Sequence, residues 1–194
     1  MPITPRGPVQ PGDVTIDQIH DGTARSQRLG HPKIATDRRR PRTIDDGGRI
    51  IWESNSAVRY LSARYAAGTL WPNDPGQRSE ADRWMDWQLS TISEPMRIAF
   101  WGLIRTPAEK RDMAAIRKAA EDAGRLFARL DGWLEGRRFV AGGHFTMGDI
   151  PAGCFAYRWY ALDIERPDLK NVRAWYDRLT TRPAYAKHVM VRMT

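Results

Sequence analysis

Apolar residues in the second part of the chain recur at intervals of three and four, which is the spacing of a helix with one buried face. Three stretches have such a face, formed by Met85, Leu89, Ile92 and Met96 from residue 78 onward; by Met113, Ile116, Ala120, Ala123, Phe127, Leu130 and Leu134; and by Leu169, Val172, Tyr176 and Leu179 between residues 168 and 180. Successive amphipathic helices pack into bundles, so the pattern predicts an all-helical domain over residues 78–194.

Two helix starts carry the signature of a capping box. In this motif a hydroxyl side chain caps forward, and an acidic side chain three residues later reaches back to the capping residue's N–H. Thr106 and Glu109 form one box, with Pro107 suited to the first helical position. In the second box, the Asp149 carboxylate reaches back to the backbone N–H of Thr146, whose hydroxyl caps forward. Helices are therefore predicted to begin at both places.

Prolines mark the expected interruptions of these helices. Pro95 removes one backbone donor and is expected to bend or interrupt the helix that starts at residue 78. Pro183 is expected to end the last helix. Residues 70–76 contain two prolines and a glycine, and everything after them has the helical pattern. We therefore expect a linker at residues 71–77 and a domain boundary within it.

Residues 43–70 have the pattern of a β-hairpin followed by one helix. Two strand-like segments, residues 43–45 and 49–52, flank Asp46-Gly47-Gly48, which is a turn sequence because glycine tolerates positive φ. A helix is predicted over residues 54–67. Together with the helical domain that follows, this organisation predicts an α+β protein.

Residues 1–42 are rich in Pro, Gly, Asp and Arg and show no sustained apolar period, so we expect them to be irregular or poorly ordered. They carry eight basic and four acidic side chains, which is half of the net charge of +8. The run Arg38-Arg39-Arg40 has no interleaved aromatic residues that would stack bases. A solvated charge run is therefore favoured over a nucleic-acid contact.

The composition narrows the class of protein further. A hydrophobic fraction of 41% with eight tryptophans predicts a folded core. No apolar run approaches the roughly 20 residues that span a bilayer, and the start has no signal-peptide core, so a cytoplasmic location without membrane contact is expected. The single cysteine, Cys154, is expected to be a buried packing residue rather than a nucleophile. The four histidines show no metal-ligand spacing, so no metal site is expected.

The order of hairpin, helix, Pro-rich linker and helical domain resembles the glutathione S-transferase family, in particular its bacterial, theta-like and beta-like members. Four segments carry the likeness: Thr43-Ile44-Asp45-Asp46, residues 52–61 (Trp-Glu-Ser-Asn-Ser-Ala-Val-Arg-Tyr-Leu), residues 83–88 (Arg-Trp-Met-Asp-Trp-Gln) and residues 145–151 (Phe-Thr-Met-Gly-Asp-Ile-Pro). The resemblance covers residues 43–194. It implies a partial thioredoxin-like N-terminal domain, made of the hairpin and its helix, before the all-α C-terminal bundle of that family.

Glu53 and Ser54 stand where a strand and a turn give way to a helix, a place suited to an amino-acid head group. The Ser54 hydroxyl and the free N–H groups of the helix start can bind a carboxylate, and Glu53 can bind an ammonium. The alternative is that Ser54 only caps its helix. The family resemblance implies the first interpretation, with the γ-glutamyl end of glutathione as the ligand, and adds Thr43 and Ile44 to the glutathione-binding residues.

For the second substrate, the resemblance implies an apolar cleft that takes a hydrophobic electrophile. The corresponding helix of the family lines this cleft, which points to Met96, Phe100 and Trp101. Trp84 and Trp87 are instead interpreted as core residues rather than ligand-stacking ones.

The start of the chain departs from the family pattern. In the family, the catalytic Ser, Tyr or Cys follows the first strand of a β-α-β unit, and spacing back from Glu53 puts that turn at or before Met1. The family also has a Val-Pro dipeptide before Thr-Ile, whereas Arg42 precedes Thr43 here and Pro41 is one place too early. A non-proline cis bond at that place would cost about 2.5–4 kcal/mol. A frame change, a misassigned start or a degenerate start would account for the difference.

Two function hypotheses follow. The first is an active glutathione transferase, in which the thiolate of bound glutathione, the co-substrate, attacks an electrophilic small molecule. The alternative is a non-catalytic family member or fragment that retains the helical domain and part of the glutathione site. Ser26 has the right chemistry but no strand-turn context, so the catalytic residue is left unassigned. The family expectation is a homodimer, and nucleic acid is not an expected partner.

Overall fold

A computed structural model of the chain describes residues 33–34 and 43–193. The chain divides into two compact units, Met1–Ala66 and Ala67–Thr194. Each unit is built around its own set of elements. The α+β organisation predicted from the sequence, a hairpin and a helix followed by a helical bundle, is confirmed.

The first unit contains a three-stranded antiparallel sheet in the order β1 (Lys33–Ile34), β2 (Ile44–Asp46) and β3 (Arg49–Ile51). The hairpin of β2 and β3 turns through Gly47 and Gly48 with φ angles of 65° and 88°. A tight hairpin turn needs such angles at both of its central residues. Glycine adopts them with little strain, whereas other residues do not. The predicted hairpin is therefore confirmed, whereas β1 lies in the stretch that was expected to be irregular.

Helix α1 (Ser54–Tyr65) follows the hairpin directly and stops two residues before the predicted end at residue 67. The backbone N–H of Ala66 donates to the Ser62 carbonyl over 3.0 Å and closes the last turn. The first unit thus places the start of a helix immediately after the end of a strand, with only Trp52 and Glu53 between them.

The second unit is helical. Its elements are α2 (Pro75–Trp87), a π-helical turn (Gln88–Ile92), α3 (Ser93–Phe100), a second π-helical turn (Trp101–Arg105), a 3-10 turn (Ala108–Lys110), α4 (Met113–Trp133), α5 (Asp149–Ala161), α6 (Lys170–Thr180) and α7 (Pro183–His188). None of the helices in the described part of the chain is long and apolar enough to cross a bilayer.

The helix predicted from residue 78 begins earlier, at Pro75, because the Asp74 carboxylate caps it by accepting from the Gln77 N–H over 2.7 Å. The π-helical turn before α3 accommodates Pro95, the residue expected to interrupt the helix. A wider turn spares the helix the ring-to-carbonyl clash that proline causes in an α-helix. Ser93, the first residue of α3, donates its hydroxyl to the carbonyl of Gln88, the first residue of this turn, over 2.7 Å.

The capping box predicted at Thr106 and Glu109 is not formed. Thr106 donates its hydroxyl to the Trp101 carbonyl over 3.0 Å and so closes the preceding π-helical turn. Helix α4 starts later, where the Asp112 carboxylate accepts from the Ala115 N–H over 2.9 Å. Two capping signals lie six residues apart, and only the tertiary course of the chain selects between them.

The core of the second unit consists of apolar side chains from α2, α3 and α4 to α7, and it is centred on large rings. Phe127 packs on Trp159 with the ring centroids 4.9 Å apart, and Trp84 and Trp87 meet edge-on at 5.1 Å. The interpretation as a core residue is confirmed for Trp84, whereas Trp87 is half-buried and packs against the core. The fully buried large side chains are Trp159, Trp175, Phe127, Met85, Ile92, Met96, Leu130, Leu134, Met147, Leu179, Val140 and Val172.

Three details of the predicted pattern are wrong. Leu89 is 58% exposed because the π-helical turn rotates it off the buried face. Met113 is 45% exposed because it is the first residue of α4, where the helix has not yet reached the core. The helix predicted to be the last, α6, ends at Thr180 before Pro183 as expected, but it is not the last, because Pro183 occupies the first position of α7, a role that suits its fixed φ.

Candidate functional site

The turn between β3 and α1 contains a strained backbone position at Glu53. Glu53 has φ 65° and ψ 122°, and among the described residues other than glycine it alone has a positive φ. Such a conformation costs a non-glycine residue on the order of 1–3 kcal/mol and persists where the surrounding structure imposes it. The side chain of Glu53 is exposed at this point. An exposed carboxylate held on a strained backbone is typical of a binding turn.

The start of α1 has no side-chain cap. Glu53 occupies the N-cap position, its carbonyl accepts from the Ala57 N–H over 2.8 Å, and its side chain makes no capping hydrogen bond. Ser54 is the first helical residue and is exposed, so the alternative in which it caps the helix is not what the structure shows. An uncapped helix start offers N–H donors and the positive end of the helix dipole to an anion.

The four residues predicted to bind glutathione lie at one end of the hairpin. Ile44 pairs with Ile51, so the beginning of β2 lies beside the end of β3. Thr43 precedes the one strand, and Glu53 and Ser54 follow the other. Thr43 is half-buried and Ile44 is buried, and thus Ile44 can offer a ligand backbone groups rather than its side chain.

The opposite end of the hairpin holds a polar cluster that the sequence reasoning missed. The buried Asp46 carboxylate accepts hydrogen bonds from the hydroxyls of Tyr60 (2.6 Å) and Tyr65 (2.8 Å), and Arg64 Nε lies 2.7 Å from it. Burial raises the pKa of Asp46, but these two hydrogen bonds and the charges of Arg64 and Arg49 outweigh burial and hold it below its usual value. The cluster fastens α1 to the hairpin turn.

A sequence signal for this cluster did exist. Tyr60 and Arg64 are four residues apart, which places them on one face of α1, and Tyr65 follows directly. Asp46 stands in a turn sequence, where an aspartate is usually read as a local turn former. Because its partners are 14 to 19 residues away along the chain, only the folded unit reveals them.

The residues predicted to line the second-substrate cleft differ in exposure. Trp101 is 57% exposed and Phe100 is half-buried, so both present ring surface. Met96 is only 1% exposed and belongs to the core, which corrects its placement in a cleft. The reason is the helical period, since Met96 shares its face with the buried Ile92 and Ala99.

The Asp149 carboxylate is fully buried at the start of α5. It accepts from the backbone N–H of Thr146 over 2.9 Å, which is the reach-back contact expected of the capping box. The forward contact of the box, between the Thr146 hydroxyl and an N–H at the helix start, is not formed. The Thr146 hydroxyl instead donates to the same carboxylate at 3.3 Å, and Gly148 occupies the cap position. The N–H of Val140 and the indole N–H of Trp175 complete the set at 3.0 and 2.9 Å.

Cys154 lies in α5 and is half-buried. Burial raises the pKa of its thiol, so the reactive thiolate form is disfavoured.

No group of three or more His, Cys, Asp or Glu side chains in residues 33–34 and 43–193 is placed to hold a metal ion. The predictions that concern Arg42, Pro41, Ser26 and the run of arginines at 38–40 lie outside the described residues.

Comparison with known proteins shows which family this chain is similar to. The profile of the glutathione S-transferase C-terminal domain matches residues 90–183. Glutathione S-transferase GstB of Escherichia coli K12 is 41% identical over 147 residues, which are 76% of this chain and 71% of that protein. Glutathione S-transferase D7 of Drosophila melanogaster is 30% identical over 137 residues, or 69% of this chain and 58% of that protein.

Solved structures show the same likeness. The theta class glutathione S-transferase of the citrus canker pathogen Xanthomonas axonopodis pv. citri, with glutathione bound, superimposes with a TM-score of 0.76 and 48% identity over 79% of this chain and 80% of that one. The Bombyx mori glutathione transferase BmGSTD1 superimposes with a TM-score of 0.67 and 25% identity, covering 80% and 71% of the two chains.

Proposed function

Because this chain belongs to the glutathione S-transferase family, we propose that it binds glutathione at the turn formed by Glu53 and Ser54. The γ-glutamyl carboxylate lies against the Ser54 hydroxyl and the N–H groups at the start of α1, and the Glu53 carboxylate accepts from the ammonium. Backbone groups of Thr43 and Ile44, at the same end of the hairpin, extend the site toward the rest of the tripeptide.

The observation that carries this proposal is the conformation of Glu53. The fold keeps a non-glycine residue at positive φ directly before a helix start without a side-chain cap, so a carboxylate stands next to the N–H donors of the helix start. Strain of this kind is retained where it serves binding. The related Xanthomonas structure, 48% identical, was determined with glutathione bound.

The reaction that fits the family is conjugation of glutathione to an electrophilic small molecule. The thiolate sulfur donates its electron pair to the electrophilic carbon, and a carbon–sulfur bond forms. In a substitution, a leaving group departs with the electrons of its bond. In an addition, the π electrons of the activated double bond shift away from the attacked carbon, and the resulting anion takes up a proton. The group that stabilises the thiolate is not assigned to a residue. A family member that only binds glutathione through the turn of Glu53 and Ser54 is the alternative.

The exposed ring of Trp101 and the half-buried ring of Phe100 are the candidates for contact with a hydrophobic electrophile. They are consecutive residues at the boundary between α3 and the second π-helical turn. Turns of this type often occur at functional sites. Homodimer formation and a cytoplasmic location complete the proposed function. A dimer is typical of the family, and the single cysteine suits a cytoplasmic location.

Calorimetric titration with glutathione tests the binding site. We expect Glu53→Gln and Ser54→Ala each to weaken binding by about tenfold, since each removes one charge-assisted or hydroxyl contact worth about 1–2 kcal/mol. Ser56→Ala is the matched control, because Ser56 is exposed in the same helical turn and has no assigned contact. Equal affinity of all three variants and the native protein would overturn the assignment of the site.

Turnover with a chromogenic aryl halide separates conjugation from binding alone. Conjugation that saturates with glutathione and weakens in Ser54→Ala supports the transferase. Glutathione binding without any turnover above the solution reaction supports the non-catalytic alternative.

A further inference from the structure

Trp133, the last residue of α4, has two guanidinium groups against its ring. Cζ of Arg83 lies 4.4 Å and Cζ of Arg137 lies 4.2 Å from the ring centroid. The two guanidinium carbons cannot be farther apart than the sum of these distances, 8.6 Å. Arg137 Nη1 also donates to the Trp133 carbonyl over 2.8 Å, and the indole N–H donates to the Val140 carbonyl over 2.8 Å. Two exposed cations are thus held beside one anchored ring.

Two further rings, Phe139 and Phe145, also have guanidinium groups against them. Phe139 and Phe145 meet edge-on with centroids 5.9 Å apart. Cζ of Arg178 lies 5.9 Å from the centre of Phe139, and Cζ of Arg182 lies 3.7 Å from the centre of Phe145. Arg178 Nε donates to the carbonyl of Arg138, the neighbour of Arg137, over 3.0 Å. We call these ring-packed arginines together the arginine patch; it consists of Arg83, Arg137, Arg178 and Arg182.

No guanidinium of the arginine patch forms an ion pair with a carboxylate of the described chain. Elsewhere in the helical unit several cations are paired: Arg97 with Glu94, Lys118 and Arg125 with Asp122, and Arg173 with Asp177. Asp149 attracts Arg182 electrostatically, but it is buried and its oxygens are occupied by other donors. The patch therefore brings together guanidinium groups that form no direct ion pair with a carboxylate of the described residues.

We infer that the arginine patch binds an anionic ligand with two or more adjacent phosphate groups, of the oligophosphate class. The guanidinium is planar and offers paired N–H donors that match phosphate oxygens, and packing against a ring fixes its plane before the ligand arrives. Arg83 and Arg137 lie close enough together for neighbouring phosphates of one molecule to engage both. This site lies within the helical unit and uses none of the residues assigned to glutathione.

The rings decide between an oligophosphate and a single-stranded nucleic acid. Binding of single strands relies on aromatic faces on which bases stack. In the arginine patch, Trp133, Phe139 and Phe145 each have a guanidinium within 6 Å of the ring centre. The rings pack against guanidinium groups, and this arrangement suits the recognition of phosphate groups rather than of bases.

Isothermal titration calorimetry of the full chain with sodium tripolyphosphate tests the site. We expect the double variant Arg83→Gln/Arg137→Gln to bind at least about tenfold more weakly than the native protein, because both forks are lost. Arg117→Gln is the matched control: Arg117 is exposed on the same helix, about 24 Å along it from Trp133 at 1.5 Å per residue, and it has no assigned ring or carboxylate contact. Its affinity should equal that of the native protein.

A second variant, Arg83→Lys/Arg137→Lys, keeps the charge and removes the planar forks. It should bind with an affinity between those of the native protein and the glutamine variant. Full native affinity in the lysine variant would show that charge alone suffices and would overturn the proposed geometry. Equal thermal unfolding midpoints of all variants establish that a loss of binding does not reflect unfolding.

Two further arms identify the source of the phosphate groups. Vesicles of phosphatidylcholine with phosphatidylglycerol, compared with phosphatidylcholine alone, present phosphate as lipid headgroups, and a generic DNA duplex presents it as a polymer. Tripolyphosphate binding that depends on Arg83 and Arg137 supports the proposal. Binding to vesicles or duplex without binding to tripolyphosphate, or a loss of binding in Arg117→Gln equal to that in the double variant, would overturn it.

Discussion

The Asp149 carboxylate lies in the core of the helical unit with no exposure to solvent. Its oxygens accept from the N–H groups of Val140, Thr146 and Trp175 and from the Thr146 hydroxyl. Through these contacts one side chain joins the loop before α5, the start of α5 and the indole on α6. A single acceptor group thus holds three segments whose polar groups would otherwise be buried without partners.

Asp149→Asn should therefore lower the free energy of unfolding by about 2–4 kcal/mol. The amide NH₂ replaces one acceptor oxygen and faces N–H donors that then have no partner. Urea denaturation at neutral pH measures the change. Asp177→Asn, which alters an exposed carboxylate on α6, is the control and should change stability by less than about 1 kcal/mol. Equal effects of the two substitutions would contradict the role given to Asp149.

At the scale of elements, α2 and the start of α5 approach each other so closely that a side chain cannot fit between them. A Cβ atom on Gly148 would lie 2.6 Å from the Ala81 carbonyl oxygen and 2.9 Å from the Ala81 Cα. Both atoms belong to the backbone of α2, which cannot rotate away as a side chain can. The contact sets the packing of these two helices, and it depends on the absence of a side chain at Gly148.

Gly148→Ala should accordingly destabilise the helical unit by about 1–3 kcal/mol, because the helices must separate to admit the methyl group. Gly132→Ala is the matched comparison, because the same substitution is expected there to change stability in the opposite direction. Gly132 lies within α4, a Cβ there meets nothing within 4 Å, and alanine favours the helix, so stability should rise by about 0.5–1 kcal/mol. Thermal denaturation of both variants measures the pair, and a gain of stability in Gly148→Ala would refute the close approach.

At the scale of the whole molecule, the buried charge of Asp149 links stability to pH. Desolvation by burial raises the pKa of Asp149 from its ordinary value of 3.8 to about 6, even though four hydrogen bonds oppose the shift. The folded protein therefore holds this proton more tightly than the unfolded chain. The part of this stability that depends on the bound proton is fully present below about pH 4 and is lost as the pH rises through about 6. The hydrogen bonds that the carboxylate accepts remain at neutral pH.

The native protein and Asp149→Asn should thus differ most in stability near pH 4, and the difference should shrink by on the order of 2 kcal/mol by pH 7. Asp46 contributes with the opposite sign, since its pKa is lowered, but it is present in both proteins and cancels in the comparison. Urea denaturation at several pH values between 4 and 7 gives the curve. A difference that grows with pH would show that the pKa of Asp149 is lowered instead.

Much of the candidate site could be read from local sequence. Glu53 and Ser54 were identified because a strand, a turn and a helix start follow one another within a few residues, and short-range patterns of this kind are written in adjacent side chains. The strain at Glu53 was not predicted, since glutamate has no preference for positive φ and the angle is imposed by its surroundings. Met96 was misplaced because helical spacing shows which residues share a face but not what covers that face.

The sequence by itself determined the hairpin around Gly47 and Gly48, the helical domain and its main stripes of apolar residues, because each depends on contacts between residues a few positions apart. Only the tertiary structure decided which of two capping signals starts α4, that Asp46 meets Tyr60 and Tyr65, and that arginines from separate segments pack against Trp133 and Phe145. These outcomes join residues far apart in the chain. Such contacts form only when the whole unit closes around its core, and no local pattern encodes them.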